Sequence, residues 1–297
     1  MLRNLLRAVA LFLCVAPWTV AQDAIDMRGR TALVSGSTSG LGELVARRLG
    51  ALGATVIVHG LDEPRGKAIA AEITAKGPGR ALFERGDLGS LAEVRALATR
   101  VRGAHPKLHL LVNNAGIFGA ADAPRRTSAD GYESIFAVNY LSHFLLTQEL
   151  LPTLVAGAPA RIVNVASVGQ RPVNFDDVML QNGFTTSNAY AQSKLAQILF
   201  TITLSERLDA SRVTVNAVHP ATLMNTPMVA GMGREPMSTV EDGANAVMQL
   251  ATAPALTGRS GLYFNQMNEA RANAQAYDAS ARTRLWELSE KLIAERR

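Results

Sequence analysis

The stretch TALVSGSTSGLG, residues 31–42, decides the fold of this 297-residue chain. Its first four residues are apolar or β-branched and predict a buried strand. Gly36, Gly40 and Gly42 follow, and they predict a tight turn from the strand into a helix. A turn of this kind presents main-chain N–H groups at a helix N-terminus, where a diphosphate is bound favourably.

Short apolar runs alternate with longer helical patterns downstream of this turn. Because strands that alternate with helices form βαβ crossovers, the pattern predicts a parallel sheet with helices on both faces. We therefore expect an α/β fold, a single Rossmann-type doubly wound sheet, in one dinucleotide-binding catalytic domain over residues 27–297. Strands are predicted at Thr31–Val34, Thr55–Val58, Ala81–Arg85, Leu108–Asn113, Arg161–Ala166 and Val213–Val218, and helices at Glu43–Leu52, Pro64–Ala75, Leu91–Arg102, Tyr132–Leu151, Ala189–Leu208 and Ala281–Ala294.

The composition is that of a globular domain. Hydrophobic residues make up 48% of the chain and charged residues 19%, which is enough apolar material for a sizeable core. The net charge is +5, but the basic residues are scattered and form no run with interleaved aromatics, which argues against nucleic-acid binding. The five histidines have no metal-ligand spacing and Cys14 is the single cysteine, so we expect no metal site.

Residues 1–21 form a separate segment ahead of the predicted domain. Two arginines accompany a nearly continuous apolar stretch from Leu5 to Val15, and small residues end at Ala21. This layout predicts a signal peptide or membrane-targeting leader, and with it a protein that is exported (periplasmic or secreted) or membrane-associated. The alternative is translation from Met27, which opens the first strand and would give a cytoplasmic protein.

Four motifs occur in the same order as in the short-chain dehydrogenase/reductase family, which this chain resembles from about Gly29 to Leu292. The glycine-rich turn has the spacing Gly-x-x-x-Gly-x-Gly, which departs from the Gly-x-Gly-x-x-Gly dinucleotide fingerprint but resembles this family's segment. Ser35 stands where the family usually has threonine. The other three motifs are Asp87-Leu88, Asn113-Asn114-Ala115-Gly116 and Tyr190-Ala191-Gln192-Ser193-Lys194.

Two further segments place the resemblance within the family. His219-Pro220 and the tail LWELSEKL, residues 285–292, are similar to those of the retinol-dehydrogenase-like group. The resemblance implies NAD or NADP as the cofactor. The residues that it assigns to cofactor binding are Gly36, Ser37, Thr38, Gly40, Leu41, Gly42, Asp87, Leu88, Asn113, Ala115, Gly116, Tyr190, Lys194, Pro220 and Thr222.

The end of the second strand bears on the choice between the two cofactors. His59-Gly60-Leu61 lacks both the acid that binds a ribose diol and the arginine that pairs with a 2′-phosphate. Because the missing acid removes repulsion against the phosphate, we expect a modest preference for NADP over NAD. Arg65 either supplies a charge for the phosphate or is a solvated helix residue.

The spacing of Tyr190 and Lys194 points to proton transfer. They lie four residues apart on a predicted helix, so their side chains point the same way. A phenol has a pKa near 10, and the neighbouring ammonium together with an oxidised nicotinamide should lower the pKa of Tyr190 towards the working pH. Tyr190 then acts as general acid in reduction and general base in oxidation. By resemblance, Ser167 hydrogen-bonds the substrate oxygen and Asn139 joins the lysine in a proton relay.

The region after His219-Pro220 has two notable features: one residue departs from the family's usual pattern, and one segment has two possible roles. Ala221 stands where the family usually has glycine, beside the expected nicotinamide site. Residues 221–240 are rich in methionine and glycine and form either a mobile flap, with Met228, Met232 and Met237 lining an apolar pocket, or a loosely packed surface loop.

The function implied by these residues is hydride transfer between NAD(P)(H) and an alcohol or carbonyl substrate of largely apolar character. The alternative is a non-catalytic dinucleotide-binding or scaffolding protein, which the presence of Asn139, Ser167, Tyr190 and Lys194 disfavours. The expected partner is a small molecule, while membrane association through the leader and homo-oligomerisation stay open.

Overall fold

The computed structural model describes residues 26–120 and 122–296, and the strands found there form one eight-stranded sheet. The strands are β1 (Thr31–Val34), β2 (Thr55–Gly60), β3 (Arg80–Arg85), β4 (Leu110–Asn113), β5 (Ala160–Val165), β6 (Val213–His219), β7 (Tyr263–Asn265) and β8 (Asn268–Ala270). The helices are α1 (Gly40–Ala51), α2 (Glu63–Lys76), α3 (Leu91–Ala104), α4 (Ser134–Phe136), α5 (Ser142–Ala156), α6 (Thr186–Arg207), α7 (Pro227–Gly231), α8 (Val240–Thr252) and α9 (Ala279–Ala294).

The strand order is β3-β2-β1-β4-β5-β6-β7-β8. The first seven strands run parallel, and β8 pairs antiparallel with β7. From β1 the chain builds outward through β2 and β3 and then returns to place β4 on the other side. Such a reversal opens a crevice at the carboxyl ends of β1 and β4, where α/β sheets bind their ligands. The predicted doubly wound sheet is thus confirmed.

Alternate residues of each strand pack against opposite helical layers. Leu33 and Ile57 lie in a core that includes side chains of α3, α5, α6 and α9. Val34 and Val58 lie in the other core, with side chains of α1, α2 and α8. Each such side chain stabilises the fold by roughly 1.5–3 kcal/mol through burial. Both faces of the sheet are therefore covered, as the apolar character of the strands predicted.

Three features of the fold differ from the sequence-based expectation, of which the first is that the helices α7 and α8 were not predicted. The three-residue strands β7 and β8 were not predicted, because they are too short to show a hydrophobic period. The single helix predicted over Tyr132–Leu151 is instead α4, a π-helical turn over Ala137–Leu141, and α5, which continues to Ala156. The wider π turn carries Asn139, and such turns are frequent at functional sites.

The predicted C-terminal helix is present as α9 and completes one core. Trp286 meets Phe144 of α5 edge-on at a centroid distance of 5.1 Å and lies 6.1 Å from Phe200 of α6. The Ser289 hydroxyl lies 2.7 Å from the Tyr140 hydroxyl, inside the same core. The apolar stripe of this helix therefore serves packing, as expected from its spacing.

The leader, residues 1–21, lies outside the described residues, so its targeting and cleavage stay predictions. Within the described ranges, no helix combines the length and the apolar character that crossing a membrane requires.

Candidate active site

The glycine-rich turn leaves no room for side chains. Gly36 has φ +62°, and a Cβ there would lie 2.8 Å from the Cα of Ala115. A Cβ on Gly42 would overlap the carbonyl oxygen of Gly36 and the amide of Asn114. The N-cap residue of α1, Ser39, makes no side-chain hydrogen bond to the first turn of the helix. The turn therefore offers bare backbone at a helix N-terminus, which fits the diphosphate of a dinucleotide.

The segment after β4 is bound tightly to this turn. The Ser35 hydroxyl accepts hydrogen bonds from the backbone N–H groups of Asn114 (2.9 Å) and Ala115 (3.0 Å). The Asn114 side chain donates to the carbonyl oxygens of Ser35 and Gly36. The two walls of the crevice are therefore held together as one unit. Asn114 was not among the predicted cofactor contacts, and its role here is to join these walls.

Replacing Gly42 with alanine should weaken NADPH binding by a factor of about 5 to 150. The added methyl group must displace the carbonyl of Gly36 or the amide of Asn114, and overpacking of this kind costs about 1–3 kcal/mol. Titration of NADPH fluorescence measures the effect. Gly103→Ala is the matched control, because its Cβ meets nothing within 4 Å. Equal NADPH affinities of the two variants would contradict the inference that the glycine-rich turn has no room for a side chain.

Three residues predicted to bind the cofactor form hydrogen bonds to other groups of the protein through their side chains. The Ser37 hydroxyl donates to the carbonyl of Val34 and accepts from the N–H of His59. The buried Asn113 amide donates to Thr147 and Asn164. One oxygen of Asp87 accepts from the N–H of Gly89, which caps the loop after β3. These bonds hold the strand ends in place, and the side chains of Ser37 and Asn113 are fully buried.

The other predicted cofactor contacts lie after the carboxyl ends of the strands. Thr38 lies against Gly60 at the end of β2, where a Cβ would be 2.6 Å from the threonine methyl group. Pro220 follows β6, and the Thr222 hydroxyl lies 3.1 Å from the His219 ring. The remaining members of the set are Gly40, Leu41, Leu88, Ala115 and Gly116, of which the two leucines and Ala115 are buried.

The helix α6 places Tyr190 and Lys194 together. The Lys194 Nζ lies 5.5 Å from the centre of the Tyr190 ring, and the Phe118 ring meets the Tyr190 ring edge-on at a centroid distance of 5.0 Å. Ser167 follows β5, and its hydroxyl lies near enough to Tyr190 to lower the pKa of the phenol. Three of the four predicted catalytic residues therefore converge after the carboxyl ends of the central strands.

The loop that carries Ser167 is fixed from several directions. Its hydroxyl accepts from the N–H of Gly169 at 3.0 Å. Its carbonyl oxygen accepts from the Tyr263 hydroxyl at 3.2 Å and from the Gln170 amide at 2.8 Å. A hydroxyl held in this way is pre-oriented for a substrate oxygen.

Asn139, the fourth predicted catalytic residue, does not bind Lys194 directly. Its amide oxygen accepts from the N–H of Ile117 at 2.7 Å, and its amide nitrogen donates to the carbonyl of Ile117 and to the Ser193 hydroxyl. The Asn139 oxygen nevertheless lies close to Gly116, as does the Lys194 Nζ. Asn139 therefore fixes the chain just beyond Gly116, on the wall that faces the lysine.

The charge state of the site is governed by burial. Burial raises the pKa of Tyr190, and a hydrogen bond with Ser167 offsets part of the rise. The expected lowering of the phenol pKa depends on the oxidised nicotinamide as well as on the ammonium, so it stays a prediction, and in the protein without cofactor burial acts in the opposite direction. Burial also lowers the pKa of Lys194 to about 7.

Apolar side chains lie beside the catalytic groups. Ile117 and Val168, each next to a site residue, are exposed by 40% and 52%. Of the three methionines predicted to line a pocket, Met228 approaches Gly116 with its methyl group, while Met237 is 72% exposed and Met232 half-buried. The apolar surface beside Gly116 therefore includes Met228 but not the exposed Met237.

The cofactor-selecting end of β2 is open. Leu61 is 56% exposed and follows Gly60 directly. The Arg65 guanidinium binds the Glu43 carboxylate at 2.6 Å, and Arg47 binds the same carboxylate. Arg65 is therefore engaged within the protein rather than left as a free charge for a phosphate.

Comparison with known proteins identifies the family of the chain. The sequence model of a family described as short chain dehydrogenase matches residues 30–236. Retinol dehydrogenase 14 of Homo sapiens is 35% identical over 90% of this chain and 87% of its own length. Polyprenol dehydrogenase of Mus musculus is 39% identical over 87% of this chain and 82% of its own.

Solved structures share the fold. An uncharacterized protein from Mycobacterium Paratuberculosis has a TM-score of 0.75 at 30% identity, covering 92% of this chain and 96% of its own. RhlG of Pseudomonas aeruginosa, solved as an NADP active-site complex, has a TM-score of 0.66 at 27% identity over 81% of this chain and 95% of its own. The chain therefore belongs to the short-chain dehydrogenase family, in its retinol-dehydrogenase-like group, and is an NAD(P)-dependent oxidoreductase.

Proposed function

We propose that the protein interconverts an alcohol and a carbonyl on a largely apolar substrate, with Tyr190 as general acid and base. The observation that carries this proposal is the convergence of Tyr190, Ser167 and Lys194 at the crevice mouth. Proton transfer needs a titrating group within reach of the substrate oxygen, and the tyrosine and serine hydroxyls form such a pair.

The chain's own residues supply everything except the hydride, which NAD(P)H provides when bound. In reduction the Tyr190 hydroxyl gives its proton to the substrate oxygen as negative charge develops there, and in oxidation the phenolate takes the proton back. The Ser167 hydroxyl donates a hydrogen bond to the same oxygen. The Lys194 ammonium stabilises the phenolate and would hold the nicotinamide ribose of a bound cofactor. Asn139 keeps the Gly116–Ile117 segment in place beside the lysine.

The apolar character of the substrate is supported by the surroundings of the site. Phe118 and Met228 lie close to the catalytic groups, and Ile117 and Val168 expose apolar surface beside them. Two of the similar proteins take their names from retinol and polyprenol, which are both apolar alcohols. We therefore place long-chain alcohols and aldehydes first among the substrates.

A series of straight-chain aldehydes and alcohols of increasing length tests the proposal. With NADPH or NADH, kcat/KM should rise about fourfold for each methylene that the site buries, since each contributes about 0.8 kcal/mol. Cofactor binding with no turnover of any compound, including retinoid and isoprenoid alcohols, would instead favour a non-catalytic dinucleotide-binding protein.

We further propose that NADP is preferred modestly over NAD, and that Leu61→Arg increases this preference at least tenfold. A guanidinium at this exposed position gains a bidentate partner in the 2′-phosphate. The ratio of kcat/KM values for NADPH and NADH measures the effect. Leu61→Gln, of similar size but uncharged, should leave the ratio nearly unchanged. Strong selectivity of the wild-type protein for NAD would contradict this assignment of the end of β2.

A further inference from the structure

The catalytic lysine is held by uncharged groups. Lys194 is 3% exposed, and its Nζ donates to the carbonyl oxygen of Val165 at 2.7 Å and to the amide oxygen of Gln197 at 2.9 Å. Among the described residues no carboxylate contributes to its pKa, which burial alone lowers. Gln197 is thus the side chain that accepts a hydrogen bond from this buried ammonium.

Gln197 is itself held from its other end. It lies one helical turn after Lys194 on α6 and is 1% exposed. Its amide nitrogen lies 3.2 Å from Nδ1 of His143, and Nε2 of His143 lies 3.2 Å from the Ser35 hydroxyl. Because Ser35 binds the N–H groups of Asn114 and Ala115, a continuous line of buried polar contacts runs from the lysine to the glycine-rich turn.

This line is electrically neutral apart from the lysine. Burial, reinforced by the positive charge of Lys194, lowers the pKa of His143 to about 3, so its ring is uncharged. With its proton on Nε2, the ring accepts from the Gln197 amide; with its proton on Nδ1, it donates to the carbonyl of Asn139 instead. The titratable groups around the lysine are therefore Tyr190, His143 and, beyond it, His59, none of which carries a negative charge at neutral pH.

We propose that Gln197 is a positioning residue that keeps the Lys194 ammonium charged and directed at the cofactor, with His143 holding the Gln197 amide in the required orientation. Turning the amide over would place its N–H groups against the ammonium, where no hydrogen bond forms. A glutamine is suited to this task because it supplies an acceptor without the full charge that would bind the lysine permanently. The inference rests on the proposed function, in which Lys194 holds the nicotinamide ribose.

The pH dependence of NADPH binding tests this role, because charged lysine attracts the cofactor and neutral lysine does not. In Gln197→Glu the carboxylate favours the ammonium, so the pH at which affinity declines should rise by about one unit or more. In Gln197→Leu the acceptor is lost, so the same midpoint should fall. Fluorescence titration of NADPH over a pH series gives both midpoints without turnover.

Gln192→Leu is the matched control. Gln192 is a buried glutamine on the same helix, but its amide binds Asn174 and Val178 rather than the lysine. Its midpoint should equal that of the wild-type protein. If Gln197→Leu does not fold, Gln197→Glu, which differs from wild type by one atom, still carries the test.

The possible results distinguish a failure of the role proposed for Gln197 from a failure of the proposed function. Binding of NADPH with unmoved midpoints in the Gln197 variants, or an equal shift in Gln192→Leu, overturns the role of Gln197 and leaves the proposed function standing. Failure of the wild-type protein to bind either NADPH or NADH overturns the proposed function itself.

Discussion

Replacing Tyr190 with phenylalanine is expected to lower turnover by about two to four orders of magnitude in both directions, the range that general acid–base catalysis supplies. The substitution keeps the ring and its edge contact with Phe118, and it removes only the oxygen that lies beside Ser167. NADPH should bind with nearly unchanged affinity, because the phenol acts on the substrate oxygen. Single-turnover rates and a fluorescence titration together measure the two quantities.

Two other variants make the result specific. Tyr277→Phe removes a hydroxyl that binds the N–H of Ala272 on the protein surface, and it should leave activity near the wild-type value. Lys194→Ala should damage both turnover and NADPH affinity, since the lysine serves both. If Tyr190→Phe kept most of the activity, another group would have to move the proton and the assignment of Tyr190 would be wrong.

The free energy of unfolding is expected to fall steeply as the pH drops below about 6.5, the ordinary pKa of histidine. Burial lowers the pKa of His59 to about 4, of His143 to about 3 and of His219 to about 4. These rings stay neutral in the folded protein while the unfolded chain takes up protons. Stability is therefore present above pH 6.5 and is lost towards pH 4, by roughly 1.4 kcal/mol per pH unit for each ring.

Urea unfolding across this pH range measures the slope. Together the three rings give about 4 kcal/mol per pH unit, and His143→Gln should reduce the slope by about a third. His105→Gln is the comparison, because the His105 ring is only partly buried and should contribute less. A free energy of unfolding that stays level between pH 6.5 and 4 would show that these rings are protonated without opening the fold.

The sequence predicted the parts of the fold that follow from regular patterns. Runs such as Thr31–Val34 and Val213–Val218 are apolar and lie between helical stretches, and each forms a strand close to its expected bounds. The strands β7 and β8 were not predicted, because three residues cannot display a hydrophobic period and because the pairing of these strands depends on distant segments. The π turn around Asn139 was not predicted either, since it changes the backbone hydrogen bonding of the helix without changing the pattern of apolar and polar residues.

The candidate site was predictable where a sequence motif supplies the catalytic groups, and less predictable where burial determines the pKa of those groups. Tyr190, Ser167 and Lys194 converge as expected, but the direction of the phenol pKa depends on desolvation, which a sequence does not display. Gln197 and His143 looked like ordinary helix residues, and only the packing of α5 against α6 turns them into partners of the lysine.

The packing of α9 has a consequence for how the chain matures on the ribosome. Phe144 and Phe200 are synthesised well before Trp286, the side chain that covers them. While the intervening segment is being translated, this aromatic surface of the nascent chain has no cover, and it is the kind of surface that chaperones bind. A translational pause between α6 and α9 would prolong that exposure, so codon changes in this interval should alter the yield of folded protein without changing a single amino acid.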